Sequence, residues 1–321
     1  MRSTSEPTID LSDAAILRLR APKNVVDPRR PYAFFVEKER SAKGRVEDVA
    51  TLFLTNRECA FRCLMCDLWK NTTDAPVPLG AIPEQIRWAL DQVPPARHIK
   101  LYNSGSFFDP NAIPVADYPT IATMVSPFET VVVESHPRMI GDRCLDFNRL
   151  LVARLQVAMG LETVDRAVLA KLNKQMTPDD FASAVKILSA HDIPVRAFIL
   201  LRLPYQSESD GVIWAKRSIE FAFDTGVECC VVIPTRAGNG VMESLTCNDL
   251  FEPPSLASLE EILEYGILLR CGRVFVDLWD VGRLACDAMA ASARIARLQW
   301  MNLNQEVPSP GAPLGPGEPT R

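Results

Sequence analysis

The segment Cys59-Ala-Phe-Arg-Cys63-Leu-Met-Cys66 follows the apolar run Thr51-Leu-Phe-Leu-Thr55. An apolar run of this length is typical of a buried β-strand. Three thiolates with the spacing C-x3-C-x2-C, and no fourth beside them, can hold three irons of a [4Fe–4S] cluster and leave the fourth iron open. An open iron can bind a ligand and pass it an electron. The spacing therefore predicts a catalytic iron–sulfur cluster at the end of a strand.

Two other interpretations of the triplet remain open at this point. A structural zinc site needs four ligands, and the fourth would have to come from a distant residue such as His98, His136 or Cys144. The triplet could also belong to an electron-transfer or cluster-carrying protein that does no further chemistry. The remaining cysteines are too scattered to predict a second cluster; among them are Cys247, Cys271 and Cys286.

Composition favours a globular protein. The chain has 321 residues, of which 47% are hydrophobic and 23% charged, and its net charge is −5. This acidic balance gives no support for binding a polyanion. The first residues lack the basic start and following apolar stretch of a secretory signal, so we expect none. Apolar runs such as Ala197–Leu201 are far shorter than the ~18 residues that span a bilayer. Nine irregularly spaced cysteines do not resemble a disulfide framework, so we expect a cytoplasmic protein without membrane contact.

Short apolar strands alternate with amphipathic helices along the middle of the chain. Such alternation is typical of βα units with right-handed crossovers. Six units are too few for a closed eight-stranded barrel, so the sequence predicts an open, crescent-shaped (β/α)6 sheet with its site at the C-terminal ends of the strands. The predicted strands are Thr51–Thr55, His98–Asn103, Thr130–Glu134, Gln156–Glu162, Val195–Leu201 and Glu228–Ile233, with a further candidate at Arg273–Leu278.

The predicted domains are an N-terminal extension (1–50), a core domain (51–250), a C-terminal helical extension (251–303) and a disordered Pro/Gly-rich tail (304–321). Residues typical of helix starts and ends support the predicted alternation of strands and helices. Thr177-Pro-Asp-Asp180 predicts a helix start, Gly226 a helix end, and Ser258-x-x-Glu261 a capping box.

Candidate cofactor-binding residues lie where the predicted strands end. The segment Asn103, Ser104, Gly105 and Ser106 is rich in small residues, so its backbone can approach a ligand. Glu134 and Glu162 each end an apolar strand, where an unpaired buried carboxylate would be costly. Each could bond the hydroxyls or ammonium of a cationic cofactor; the alternative is a helix cap or an ion pair with Arg138, Arg166 or Lys174. Other polar residues that could line a substrate cavity are Asp109, His136, Tyr205, Arg236 and Asn239.

Five segments together resemble the radical SAM superfamily, whose members cleave S-adenosylmethionine (SAM). They are GSFFD (105–109), ESHPR (134–138), GLET (160–163), NK-x-M-T-P-x-D-F (173–181) and FILLRLP (198–204). The chain resembles most the radical SAM partner of archaeosine synthase, which modifies a deazaguanine base in tRNA, and more distantly the catalytic subunit of Elongator. The resemblance covers roughly residues 50–245.

The resemblance implies a partial TIM barrel that holds a [4Fe–4S] cluster and SAM. The cluster ligands would be Cys59, Cys63 and Cys66. The cofactor would be held by Met65, Asn103, Ser104, Gly105, Ser106, Glu134, Glu162, Arg202, Ile233 and Pro234. Arg202 would receive the cofactor carboxylate; Met65, Ile233 and Pro234 would lie near the adenine.

The implied reaction is reductive cleavage of SAM to a 5′-deoxyadenosyl radical that abstracts hydrogen from the substrate. The substrate would be a deazaguanine-type nucleoside in tRNA or a small metabolite. The implied partner is a one-electron donor of the flavodoxin or ferredoxin type.

Overall fold

The computed structural model describes residues 12–284 and 288–309. Its centre is one eight-stranded sheet whose strands follow each other in chain order. The first pair is antiparallel and every later pair is parallel. The strands are β1 (Ala33–Arg40), β2 (Val46–Phe53), β3 (His98–Tyr102), β4 (Thr130–Ser135), β5 (Arg154–Glu162), β6 (Val195–Leu201), β7 (Cys229–Pro234) and β8 (Arg273–Val276).

The predicted open α/β half-barrel is confirmed, and all seven predicted strand positions are occupied by strands. The prediction missed β1, so residues 33–50 belong to the sheet and not to an extension before it. The region 251–303 likewise is not purely helical, because it contributes β8 to the sheet. The sheet therefore begins before and ends after the predicted core of residues 51–250.

Helices connect the parallel strands and cover the outer face of the sheet. Thr177 caps its helix through a capping box with Asp180, as predicted. The predicted cap at Ser258 is wrong: Ser255 is the cap, and its hydroxyl accepts from the backbone N–H of Ser258. The helices are α1 (Asp13–Leu19), α2 (Ala81–Leu90), α3 (Tyr118–Met124), α4 (Asp142–Leu150), α5 (Arg166–Lys171), α6 (Pro178–Ser189), α7 (Glu208–Asp224), α8 (Val241–Cys247), α9 (Leu256–Leu269) and α10 (Ala288–Asn304).

The curvature of the sheet is visible in ion pairs that cross its inner face. Glu39 on β1 accepts from Lys100 Nζ on β3 at 2.7 Å and from Arg196 Nη1 on β6 at 2.9 Å. Because β1 and β6 are far apart in the strand order, only a strongly curved sheet can bring them together. Arg273 on β8 also donates to the carbonyl of Arg40 on β1, at 2.5 Å.

The free edge of β8 is covered by α10 and the residue after it. Asn302 bonds both the N–H and the carbonyl of Val276, at 3.0 and 2.9 Å, and Gln305 bonds both groups of Val274, at 2.8 and 2.7 Å. These side-chain amides satisfy an edge that would otherwise be open to another strand. Asn304 and Gln305 therefore do not belong to a disordered tail; residues 310–321 lie outside the described part, as do residues 1–11 and Cys286.

The two faces of the sheet differ in burial. Outward-facing residues such as Leu52, Leu101 and Ile199 are fully buried under the helices, whereas inward-facing Phe53, Tyr102 and Phe198 are partly exposed. Aromatic side chains on the inner face are thus partly accessible. Among residues 12–284 and 288–309, no helix combines the length and apolar character needed to cross a bilayer.

Candidate active site

The three cysteines lie together on the loop that follows β2. All three are free and partly exposed. Burial of the sulfur atoms raises the pKa of the Cys59 and Cys63 thiols to about 11 and that of Cys66 to about 12. In the described ranges, no three Cys, His, Asp or Glu side chains are grouped closely enough to hold a single metal ion. Thiols of this kind become thiolates when a metal binds and displaces the proton.

The cysteine loop is held in place by backbone groups of its neighbours. The N–H of Leu64 donates to the carbonyl of Leu172 at 2.8 Å, and the side-chain amide of Asn173 donates to the carbonyl of Arg62 at 2.9 Å. Leu172 and Asn173 follow α5 directly. The segment after α5 therefore holds one side of the cysteine loop by hydrogen bonds.

Asn239 supports the loop from the other side. Its side-chain N–H groups donate to the carbonyls of Leu64 at 2.7 Å and Cys66 at 3.1 Å, while its oxygen accepts from the N–H of Met242 at 2.9 Å. The prediction placed Asn239 in a substrate cavity. The structure instead uses all of its side-chain amide groups to join the cysteine loop to the start of α8.

His136 is also a structural contact of the loop, not a free acid or base. Its ring stacks on Phe61, between the first two cysteines, with centroids 3.7 Å apart. Nδ1 accepts from the N–H of Arg138 at 3.2 Å, so Nε2 carries the proton and donates to the carbonyl of Lys174 at 3.0 Å. Burial, together with the charge of Lys174, lowers the pKa of His136 to about 3.

Glu162 forms a buried ion pair with Lys174. Glu162 follows an irregularity in the β5 pairing and adopts a left-handed backbone conformation with φ 62°. The Lys174 ammonium lies close enough to Cys63 and Cys59 for their charges to interact. The sequence indicated Lys174 only as a possible ion-pair partner and not as a cofactor-binding residue, although it stands in the NK segment of the resemblance. Glu162 is thus paired in the structure, which was the alternative to a direct ligand contact.

The end of β3 meets the cysteine loop closely. A Cβ atom at Gly105 would lie 3.3 Å from Cys59 Cβ. Glu134 Oε1 holds this strand end by accepting from the N–H groups of Asn103 at 2.6 Å and Gly105 at 3.4 Å. Burial raises the pKa of Glu134 to about 7, although these N–H groups favour its charged form. Glu134 therefore shapes the β3 turn, in which Ser104 is left-handed with φ 55°.

Three polar side chains complete this turn. Ser104 Oγ lies 2.9 Å from the hydroxyl of Tyr32, a residue from the segment before β1. Ser106 Oγ lies 2.8 Å from Ser135 Oγ, at the end of β4. Asn103 is fully buried, and neither its side-chain oxygen nor its nitrogen has a hydrogen-bond partner among the described residues. An unpaired buried amide is costly, so this side chain is suited to a ligand.

Arg202 is engaged by acidic residues of its own chain. Its guanidinium donates to Glu208 Oε2 at 2.6 Å, to the carbonyl of Pro253 at 2.7 Å, and to Glu252. These contacts join the end of β6 to the start of α7 and to the segment before α9. The predicted contact between Arg202 and a cofactor carboxylate would have to compete with these ion pairs.

Three other residues predicted to line a substrate cavity have contacts within the chain. Arg236 pairs with Asp277 and bonds the carbonyl of Trp279 at 2.7 Å, and Asp109 accepts from Asn111 at 2.9 Å, so both have structural partners. Tyr205 lies under Lys171, whose Nζ is 4.2 Å from the ring centroid.

The residues expected near the adenine lie at the rim of the site. Met65 packs between two apolar clusters, one around Leu64 and one around Leu203. Ile233 is partly exposed and Pro234 buried at the end of β7.

Comparison with known proteins places this geometry in context. No family model matches the chain. An uncharacterised protein of Methanocaldococcus jannaschii, MJ0550, is 22% identical over 258 residues, which cover 75% of this chain and 71% of that protein. Archaeosine synthase subunit beta of Thermococcus kodakarensis and its counterpart in Methanosarcina acetivorans are each 26% identical and cover 63% of this chain. The predicted resemblance to the archaeosine synthase partner is confirmed by the two proteins named archaeosine synthase subunit beta.

The matched region spans 65% of the Thermococcus subunit and 60% of the Methanosarcina subunit. Solved structures with a similar arrangement include an Elp3 protein of Methanocaldococcus infernus, with a TM-score of 0.49 and 13% identity over 65% of this chain and 58% of that one. Coproporphyrinogen III oxidase (HemN) of Escherichia coli has a TM-score of 0.44 and 14% identity over 80% of this chain and 55% of that one.

Proposed function

We propose that this protein is a radical SAM enzyme that binds a [4Fe–4S] cluster at Cys59, Cys63 and Cys66. The observation that carries the proposal is the meeting of the cysteine loop with the end of β3. There Gly105 leaves room beside Cys59, and the buried Asn103 amide has no partner among the described residues. An electron carrier needs the thiols but has no use for an unpaired amide next to them.

The residues fit the implied cofactors. Three thiols and no fourth on the same loop match a cluster with one open iron. The unpaired groups of Asn103 can bond the amino-acid part of SAM. We propose Lys174, in place of Arg202, as the cation that receives its carboxylate. Both are already paired, Lys174 with Glu162 and Arg202 with Glu208 and Glu252, but Lys174 lies close enough to Cys59 and Cys63 for their charges to interact.

A cluster held by Cys59, Cys63 and Cys66 would, when reduced, supply the one electron needed for reductive cleavage of SAM to methionine and a 5′-deoxyadenosyl radical. The chain's own part is to fix the reactants and to exclude water and thiols. Phe61 and His136 cover one side of the loop with stacked rings. The inner face of the sheet carries the contacting rings of Phe53, Tyr102 and Phe198, which are partly exposed and available to a substrate.

The finer assignment follows the sequence relatives. We propose a substrate that is a deazaguanine-type nucleoside, as part of tRNA or free, or another small metabolite, and a one-electron donor of the flavodoxin or ferredoxin type. The relatives named archaeosine synthase subunit beta support the nucleoside, and the net charge of −5 gives no support for tRNA itself.

Anaerobic reconstitution with iron and sulfide, followed by dithionite and SAM, tests the proposal. We expect a brown protein with absorbance near 400 nm and formation of 5′-deoxyadenosine, which Cys63→Ala should abolish. A protein that holds an intact cluster yet produces no 5′-deoxyadenosine would be an electron-transfer or cluster-carrying protein. A colourless protein that binds zinc would overturn both.

A further inference from the structure

The segment formed by residues 12–32, which the sequence assigns to an extension before the core, lies against the cysteine loop. Its helix α1 buries Ile16, which is 2% exposed and packs in one apolar cluster with Leu64, between the second and third cysteines. The neighbouring Leu17 is 47% exposed. The helix therefore presents one specific side chain to the loop.

A partly buried ion cluster joins the same segment to the first part of the loop. The Glu58 carboxylate lies 2.7 Å from Arg20 Nη1, 2.8 Å from Lys23 Nζ and 3.1 Å from Arg62 Nη1. Glu58 and Arg62 directly precede Cys59 and Cys63, and Arg62 also donates to the carbonyl of Cys59. The side chains of Arg20 and Glu58 are only 8% and 14% exposed. One carboxylate thus fixes both ends of the C-x3-C spacing to the N-terminal segment.

Three more contacts extend this attachment. The Arg20 guanidinium lies 4.6 Å from the ring centroid of buried Trp69. The N–H of Asn24 donates to the carbonyl of Lys70 at 2.8 Å, beyond the third cysteine. At Gly240 (φ 89°), a Cβ atom would lie 1.9 Å from the carbonyl oxygen of Leu19, so α1 also touches the start of α8. The segment contacts the loop before, between and after the cysteines.

We propose that the N-terminal segment is a positioning element that sets the geometry of the cysteine loop for the cluster, acting through Ile16 and Arg20. The inference rests on the proposed function. A free loop would have to lose conformational entropy and bring three thiolates together each time a cluster formed. A loop that α1 and Glu58 already hold loses less conformational entropy when a cluster binds, because folding has ordered it beforehand. Residues around metal ligands are known to raise metal affinity by orienting the ligands.

The test compares full-length Ile16→Ala and Arg20→Gln with the matched control Leu17→Ala, which changes the exposed neighbour on the same helix. After anaerobic reconstitution, iron and sulfide per chain and the loss of absorbance near 400 nm in air are measured. We expect Ile16→Ala and Arg20→Gln to lose the cluster about 10-fold faster than wild type, with Leu17→Ala unchanged. Arg20→Lys should restore part of the lifetime because it retains the charge.

A second readout needs no cluster: the rate at which iodoacetamide alkylates the three cysteines in the cluster-free protein, with thermal unfolding as a check of the fold. We expect faster alkylation in Ile16→Ala and Arg20→Gln. If both variants match wild type in alkylation rate and cluster lifetime, the positioning role is refuted. If wild type takes up no cluster, the proposed function fails, and alkylation still decides whether the segment orders the loop.

Discussion

Lys174 and Glu162 form a buried ion pair in the space left free by Gly160. A Cβ atom at position 160 would lie 2.1 Å from Glu162 Oε1 and 2.5 Å from Lys174 Nζ. The pair therefore depends on a glycine two residues before Glu162 on the same strand, and it joins the end of β5 to the segment that leads to α6. Through the backbone carbonyl of Lys174 it also reaches His136 and the cysteine loop.

Gly160→Ala should displace the ion pair. We expect a loss of about 1–3 kcal/mol in the free energy of unfolding, the usual range for an added methyl group in a packed site. Urea denaturation measures it. Gly282→Ala is the matched control, since Gly282 is exposed and a Cβ atom there has no neighbour within 4 Å; it should stay within about 0.5 kcal/mol of wild type. Equal losses in both variants would contradict the packing argument.

Removing one partner of the Glu162–Lys174 ion pair should lower the free energy of unfolding more than removing both partners. We expect Lys174→Met to lower the free energy of unfolding by about 3–5 kcal/mol, because it leaves the Glu162 carboxylate buried and unpaired, and Glu162→Leu in the same chain to recover much of this loss. The surface pair of Lys216 and Glu261 is the control; Lys216→Met should cost at most about 1 kcal/mol. Additive losses in the double variant would show that the two groups are not coupled.

His136 should make stability depend on pH. Its folded-state pKa of about 3 lies below its ordinary value of 6.5, so the unfolded chain takes up the proton first. The contribution of neutral His136 to the free energy of unfolding is complete above pH 6.5 and is lost as the pH falls toward 3. Between pH 8 and pH 5, wild type should lose about 2 kcal/mol more than His136→Gln. Parallel stability profiles for the two proteins would show that His136 is not buried in its neutral form.

Asn302 should be needed to close the edge of β8. Asn302→Ala removes two hydrogen bonds and leaves the backbone groups of Val276 unpaired, which should cost about 1–3 kcal/mol. The control is Asn304→Ala, on the same helix, because Asn304 bonds the carbonyl of Trp300 within its own turn and not the edge of β8 among the described residues. Chemical denaturation of both variants measures their free energies of unfolding. A loss at Asn304 as large as that at Asn302 would argue against a specific role in covering the edge.

The revised carboxylate site can be tested by binding. Isothermal titration of reconstituted protein with SAM should give a dissociation constant close to wild type for Arg202→Gln, whose guanidinium is held by Glu208 and Glu252. Lys174→Gln should weaken binding by about 10-fold or more, as expected for one lost charge-assisted hydrogen bond. The opposite ranking would restore the original prediction for Arg202.

The apolar strands were predictable because their residues are buried on the outer face and recur at regular spacing, as in Val195–Leu201. The strand β1 was not, because its second half, Glu37 to Arg40, consists of charged residues. Those charges are tolerated inside the sheet because Lys100 and Arg196 pair with them. Both partners lie on strands far along the chain, and no local pattern reveals such pairing.

The sequence alone determined the α/β class, the strand order along the chain and the cysteine triplet, because these depend on local periodicity and spacing. Only the tertiary structure decided which charged residues are free. Arg202 and Glu162 look alike in sequence as strand-end candidates, yet the fold pairs Arg202 with Glu208 and Glu252 and pairs Glu162 with Lys174. It also brings Ile16 and Arg20 onto the cysteine loop. Pairing of this kind depends on how the curved sheet brings distant segments together, and that curvature is a property of the whole chain.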